Sequence, residues 1–141
     1  MMYSVIDIAK YIVSKCARER HPISNLQLQK ILYYVQKEYL KQNSRAFSND
    51  IEAWQFGPVG PEAYYHFASF GSMPITLIYG NVDMPLKDKA IIDPIVEQKR
   101  NLNPWTLVDE THKPNGAWDK IYRKGVGNRD VIPTDLIKSE G

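Results

Sequence analysis

The stretch Ile51-Glu52-Ala53-Trp54-Gln55-Phe56-Gly57-Pro58-Val59-Gly60-Pro61-Glu62-Ala63-Tyr64-Tyr65 constrains this chain more than any other. It opens as an alternating run, with Ile51, Ala53 and Gln55 pointing one way and Glu52, Trp54 and Phe56 the other. Pro58 removes a backbone donor and pushes Gly57 toward extended or glycine-only backbone. Pro61 stands where a helix tolerates proline best, with Gly60 before it and Glu62 near the positive helix end. A β-like run therefore enters a rigid turn and leaves as a helix. A plain connector has no need of so much stiff aromatic chemistry.

Two amphipathic helices precede it. Val5, Ile8, Ala9, Ile12, Val13 and Cys16 recur at three- and four-residue steps and predict a helix over Val5–Arg20, ended by His21-Pro22. Ser4 with Asp7 has the spacing of a capping box, and Tyr3 with Ile8 that of a hydrophobic staple. Ser24 and Gln27 repeat the pattern before Leu28, Ile31, Leu32, Val35 and Tyr39, which predicts a second helix over Ser24–Gln42. The short link between them makes an αα-hairpin.

After the turn, Pro61–Ala68 reads as a helix closed by Phe70-Gly71. Ile75–Tyr79 is β-rich, and the expectation is a small ribbon pairing it with Ile51–Gln55. Lys87–Lys99 reads as helical, with Pro94 either kinking it or opening a new turn capped by Asp93. Asn103-Pro104 opens a helix expected to turn Trp105, Leu107 and Val108 inward, and Pro114-Asn115-Gly116 breaks the chain before Trp118–Tyr122. Pro133-Thr134 starts a last short helix within Asp130–Lys138. With no internal repeat and no low-complexity tract, residues 1–141 read as a single compact domain, mainly α (α+β), with an N-terminal αα-hairpin and a small β-ribbon.

The bulk chemistry narrows the function. A net charge of +2 falls short of the concentrated basic face of a dedicated DNA binder. One cysteine excludes an intramolecular disulfide, and Cys16 on an apolar stripe reads as a buried thiol in a reducing compartment. No apolar run reaches the roughly 18 residues of a membrane span, and the N-terminus lacks the layout of a signal peptide, so the expected location is the cytoplasm. His21, His66 and His112 stand far apart without metal-ligand spacing, and no cofactor is expected. Pro58 and Pro61 donate no N–H, which disfavours a phosphate cradle in that turn. Asp109, Glu110 and His112 form the nearest thing to a catalytic group and define a hydrolase alternative. It lacks a nucleophile, and the plainer reading puts His112 at a helix end as an imidazolium donating to a carbonyl. Arg123, Lys124 and Arg129 make a modest basic cluster, the basis for an alternative as a phage or prophage DNA-contacting regulator.

Three blocks resemble the Panacea domain family, which includes the SocA-type antitoxins and the phage-associated GepA-like proteins. Leu26-Gln27-Leu28-Gln29-Lys30-Ile31-Leu32-Tyr33-Tyr34-Val35-Gln36 is similar to its L-Q-K-L-L-Y-Y-x-Q helix, and Ile51–Glu62 to its E-A-W-x-[YF]-G-P-V-x-P-E stretch. Leu107 to Thr111-His112, followed by Trp118, resembles its L-x-x-x-T-H…P-W ending, with Ala117 where the family has proline. The resemblance implies an antitoxin that neutralises a cognate toxin by direct protein contact, with no enzymatic activity. It also implies, from one SocA-like member, a role as adaptor delivering the toxin to a AAA+ protease. The residues expected to meet a partner are Trp54, Phe56, Pro58, Tyr64, Tyr65, His112 and Trp118. Trp54 and Phe56 share one face of the run, and at least one of them is expected to pack on the second helix. Tyr64 and Tyr65 lie about 100° apart on their helix, so one packs inward while the other stays exposed.

Overall fold

The computed structural model describes residues 2–80 and 82–141. Helix α1 (Val5–Arg18) and helix α2 (Asn25–Lys41) both begin on the expected capping boxes, Ser4 with Asp7 and Ser24 with Gln27. They pack on each other in one hydrophobic cluster. α1 contributes Val5, Ile8, Ala9, Ile12, Val13 and Cys16, all fully buried.

α2 is the centre of the molecule. It touches α1, strand β2 (Gly57–Val59) and helices α3 (Pro61–His66), α4 (Leu86–Lys99), α5 (Pro104–Thr111) and α7 (Thr134–Glu140). A helix packed on that many sides has few solvent positions, so polar residues are buried along with the apolar stripe. Each of them holds a neighbouring segment. Gln36 donates to the Phe47 carbonyl (2.9 Å) and accepts from the Ala46 N–H (2.8 Å). Gln29 accepts from the Gly60 N–H at 3.0 Å, and Asn25 donates to the Tyr64 carbonyl at 3.0 Å.

The ribbon differs from the expectation. Strand β1 (Glu52–Trp54) pairs antiparallel with β2, the residues directly after it, through a turn at Gln55-Phe56. Ile75–Tyr79 forms no strand; it is irregular, tied by Ile75 N–H to the Ile23 carbonyl and by Tyr79 N–H to Ser14 Oγ. The register explains how Pro58 enters a strand. Ala53 opposes Pro58, but Ala53 spends its N–H on Asp130 and its carbonyl on Arg129, on the other side. The Ala53–Pro58 pair therefore needs no donor from proline.

α4 runs unbroken through Pro94, and Asp93 is not a cap; it accepts the Tyr11 hydroxyl at 2.6 Å. Asp88, buried, accepts from Tyr3 (2.8 Å) and Tyr39 (2.6 Å), pinning α4 to the core. α5 has the expected Asn103 cap, with Leu107 and Val108 buried, but Trp105 points outward. Helix α6 (Ala117–Tyr122) and α7 complete the chain. No helix among the described residues is long and apolar enough to cross a membrane.

Candidate functional site

The hairpin divides the site into an outer and an inner side. On the outer side lies an open cleft of about 610 Å³, between the start of α2, the β1–β2 turn, α3, the start of α5 and the segment at Asn128-Arg129. Trp54, Phe56 and Tyr64 line it, as does Trp105, so the outward turn of that ring places it where the fold needs an aromatic wall. Phe56 meets Trp105 edge-on at 5.4 Å between centroids. Trp54 packs against Tyr64 at 5.0 Å and Tyr65 at 5.9 Å, and its indole N–H donates to Glu52 at 2.9 Å. Phe56 (47% exposed), Tyr65 (56%) and Trp105 (56%) offer much of their surface to solvent. Neither Trp54 nor Phe56 is a core residue; Ile51 and Ala53, on the other face of the run, fill that role. Tyr64 is half-buried and Tyr65 exposed.

On the inner side the three sequence blocks meet. Lys30 is fully buried and donates to the Pro58 carbonyl at 3.1 Å. Burial pushes its ammonium down to about 7. Gly57 has φ +113°, and a side chain there would meet Lys30 Cε and Thr111 Oγ1, each at 2.8 Å. Thr111 in turn donates to the Val108 carbonyl at 2.9 Å. Only glycine allows the hairpin to close over the lysine.

His112 caps α5, as expected, but its chemistry is different. Its ring stacks on Trp118 at 3.6 Å with 4° between planes, and Trp118 stacks on Tyr122 at 4.6 Å. Its Nε2 is buried without a hydrogen-bond partner. Burial, then repulsion from Lys30, lowers its pKa. The neutral ring is favoured, not the imidazolium expected from a helix end. Trp118 donates its indole N–H to the Trp54 carbonyl at 2.7 Å, so it holds the hairpin from behind. Pro58, His112 and Trp118 thus support the cleft without lining it. Among the described residues Asp109 and His112 are joined only through the backbone, His112 N–H to the Asp109 carbonyl at 3.2 Å, with no side-chain hydrogen bond between them, and no group of acids, histidines and cysteine is arranged to hold a metal.

The basic cluster separates as well. Arg123 and Lys124 lie exposed in a tight turn after α6, whereas Arg129 reaches the cleft. Its guanidinium stands 4.2 Å over the Trp54 ring and donates to the Tyr65 hydroxyl at 2.9 Å. Sequence reasoning missed Lys30, Asn25, Gln29, Trp105 and Arg129 as site residues. Three of these are polar positions within the buried span of α2, and that interruption of an apolar helix was the available signal.

A family profile described as Antitoxin SocA-like, Panacea domain, matches residues 28–119. The chain is 32% identical to Antitoxin SocA of Caulobacter vibrioides (strain NA1000 / CB15N), over 81% of this chain and 68% of that one. No solved structure matches it.

Proposed function

Since the chain belongs to the SocA-like antitoxins with a Panacea domain, we propose that it neutralises a cognate toxin by binding it directly through the aromatic cleft. The observation that carries this reading is the open convergence of Trp54, Phe56, Tyr64 and Trp105 beside Arg129. Rigid aromatic rings and arginine are the residues from which tight protein interfaces draw most of their energy. No enzymatic step is part of the reading. The Asp109 carboxylate is exposed and makes no side-chain hydrogen bond to the His112 ring among the described residues, and burial lowers the pKa of that ring. A DNA-contacting role has less support, because the basic cluster separates, with Arg123 and Lys124 in the turn after α6 and Arg129 at the cleft. We place the protein in the cytoplasm, where the buried free thiol of Cys16 stays reduced.

Delivery of the toxin to a AAA+ protease would need a second surface while the cleft is filled. Met73, Leu77, Ile78 and Leu86 are exposed and absent from the cleft lining. The test of the main reading is co-expression with the product of the adjacent gene. Growth rescue and co-purification are expected, with both lost in Trp105→Ala while the melting temperature holds. A neighbouring product that is harmless alone and not retained by this protein overturns the reading. Stabilisation of the toxin in cells lacking the protease, with unchanged neutralisation, is the expected sign of the adaptor role.

A further inference from the structure

Resting on the toxin-binding reading, the inference concerns what the cleft selects. Among the described residues its lining contains no aspartate or glutamate, and its charged residues are Lys30 and Arg129. Lys30 is fully buried and turned to the Pro58 carbonyl. The floor amides are satisfied internally: Gln29 donates to Asn25 at 3.0 Å and accepts from Gly60, while Asn25 donates to the Tyr64 carbonyl. The floor therefore has little to offer a polar ligand group, and the walls combine the rings with the neutral polar side chains of Gln55, Ser72 and Asn128. One exposed charge remains to read a partner, the guanidinium of Arg129.

That guanidinium is held in place. Arg129 has φ +70°, backbone that a side-chain-bearing residue rarely adopts. Its N–H bonds the Ala53 carbonyl at 2.6 Å, and the next residue accepts from the Ala53 N–H at 2.8 Å, so β1 fixes the strained position. The side chain lies over Trp54 and spends one hydrogen bond on Tyr65; no second one forms among the described residues. A cation so oriented on an aromatic wall presents its remaining donors as a fork, the geometry that carboxylates accept. Arg129 also lies beyond the family match at residues 28–119, so the family likeness gives it no role.

We propose that the cleft recognises a segment of the partner protein in which an aromatic or long aliphatic side chain is flanked by a carboxylate. The apolar side chain seats between Trp54, Phe56 and Trp105, and the carboxylate pairs with Arg129. Positioning the fork in the free protein lowers the ordering cost of binding.

The test uses a displayed library of random dodecapeptides selected on the full-length protein, which does not require the toxin. Enrichment of peptides with an aspartate or glutamate within two positions of a large apolar residue is expected. A synthetic peptide of that kind should bind about 10-fold more weakly to Arg129→Gln, and replacing its acid with the amide should then make little further difference. Arg129→Lys keeps the charge without the fork, and should bind between the two. Melting temperatures of both variants confirm that the loop is intact; if Arg129→Gln fails to fold, the amide-substituted peptide on the native protein supplies the same comparison. Enriched peptides without an acid, or equal binding by Arg129→Gln, overturn the proposal. So does a concentration-dependent dimer abolished by Trp105→Ala, which would make a second copy the occupant. Toxin rescue separates the two readings. Equal rescue and equal affinity in wild type and Arg129→Gln defeat this inference alone. Absence of rescue by wild type defeats the antitoxin reading and leaves the peptide result to stand or fall by itself.

Discussion

Lys15 near the end of α1 and Lys30 in α2 are both buried lysines, and the fold treats them in opposite ways. Burial opposes charge on Lys15, but Glu19 and Glu97, each 2.8 Å from its Nζ, outweigh that, and its pKa is raised. Among the described residues Lys30 hydrogen-bonds only the Pro58 carbonyl, and burial lowers it to about 7. The first niche is walled by half-exposed carboxylates, the second by the backbone of the hairpin beneath the aromatic cleft. A lysine paired with carboxylates keeps its charge at little cost; a lysine closed in by backbone costs the fold stability while it is charged.

The largest expected effect breaks the second niche. Gly57→Ala forces a side chain into positive φ and to within 2.8 Å of Lys30 Cε and Thr111 Oγ1. A loss of about 3 kcal/mol or more is expected from urea unfolding. The Lys15 niche holds no glycine in such a role, so its variants should be milder. A Gly57→Ala protein as stable as wild type would show that the hairpin moves freely over the lysine.

How much of this was legible follows from range. Ser4 with Asp7 and Ser24 with Gln27 are contacts three residues apart, and both helices began where those pairs put them. The ribbon partner was missed because proline normally argues against a strand, and what permits Pro58 is the engagement of Ala53 by Arg129 and Asp130, far along the chain. Trp105 was misplaced through phase. At ~100° per residue it stands about 115° from the mean direction of Leu107, Val108 and Thr111, which α5 buries. In the candidate site, the aromatic residues of the hairpin and α3 were legible. Arg129 was noticed only as part of a charge cluster, since nothing local says that it reaches Trp54.

Next in size is the pH response of Lys30. Its folded pKa of about 7 lies below the ordinary 10.5, so above pH 7 the unfolded chain binds more protons than the native one. Stability therefore rises with pH across that window, and the penalty for charging the buried amine is fully felt below it. Between pH 7 and pH 9 the gain is about 2 kcal/mol at ~1.4 kcal/mol per proton and pH unit. Lys30→Met keeps the volume, removes this slope, and raises stability at pH 6 relative to wild type. Parallel curves for the two proteins would mean that Lys30 is not buried in its charged form. Lys15, with a raised pKa, adds no slope here, because its contribution is lost only as pH rises above 10.5.

Lys15→Met should cost about 1 kcal/mol at pH 7, because its carboxylate partners are half-exposed and return to water. Glu19 also keeps Arg100 at 2.7 Å. High salt should shrink the difference between wild type and variant, as it screens exposed pairs. A loss several times larger, unchanged by salt, would place Lys15 in the same class as Lys30 and remove the contrast between them.

The smallest effect is the most specific. His112 and Lys30 are basic groups of the same buried region, and repulsion from Lys30 is the second cause, after burial, of the lowered His112 pKa. Below pH 6.5 Lys30 is mostly charged, so the repulsion acts where the imidazole titrates. Protonating His112 is thus harder in the native state than in the unfolded chain, and native stability falls as pH drops below 6.5 toward the folded pKa. Lys30→Met removes the repulsion but not the burial or the stacking on Trp118, so the His112 pKa should rise part of the way back. An NMR titration of the His112 ring in both proteins reads this directly. An unchanged His112 in Lys30→Met would mean that the two groups do not sense each other, and that the three sequence blocks meet as packing only. A rise confined to His112 would show that the inner side of the hairpin is one electrostatic unit.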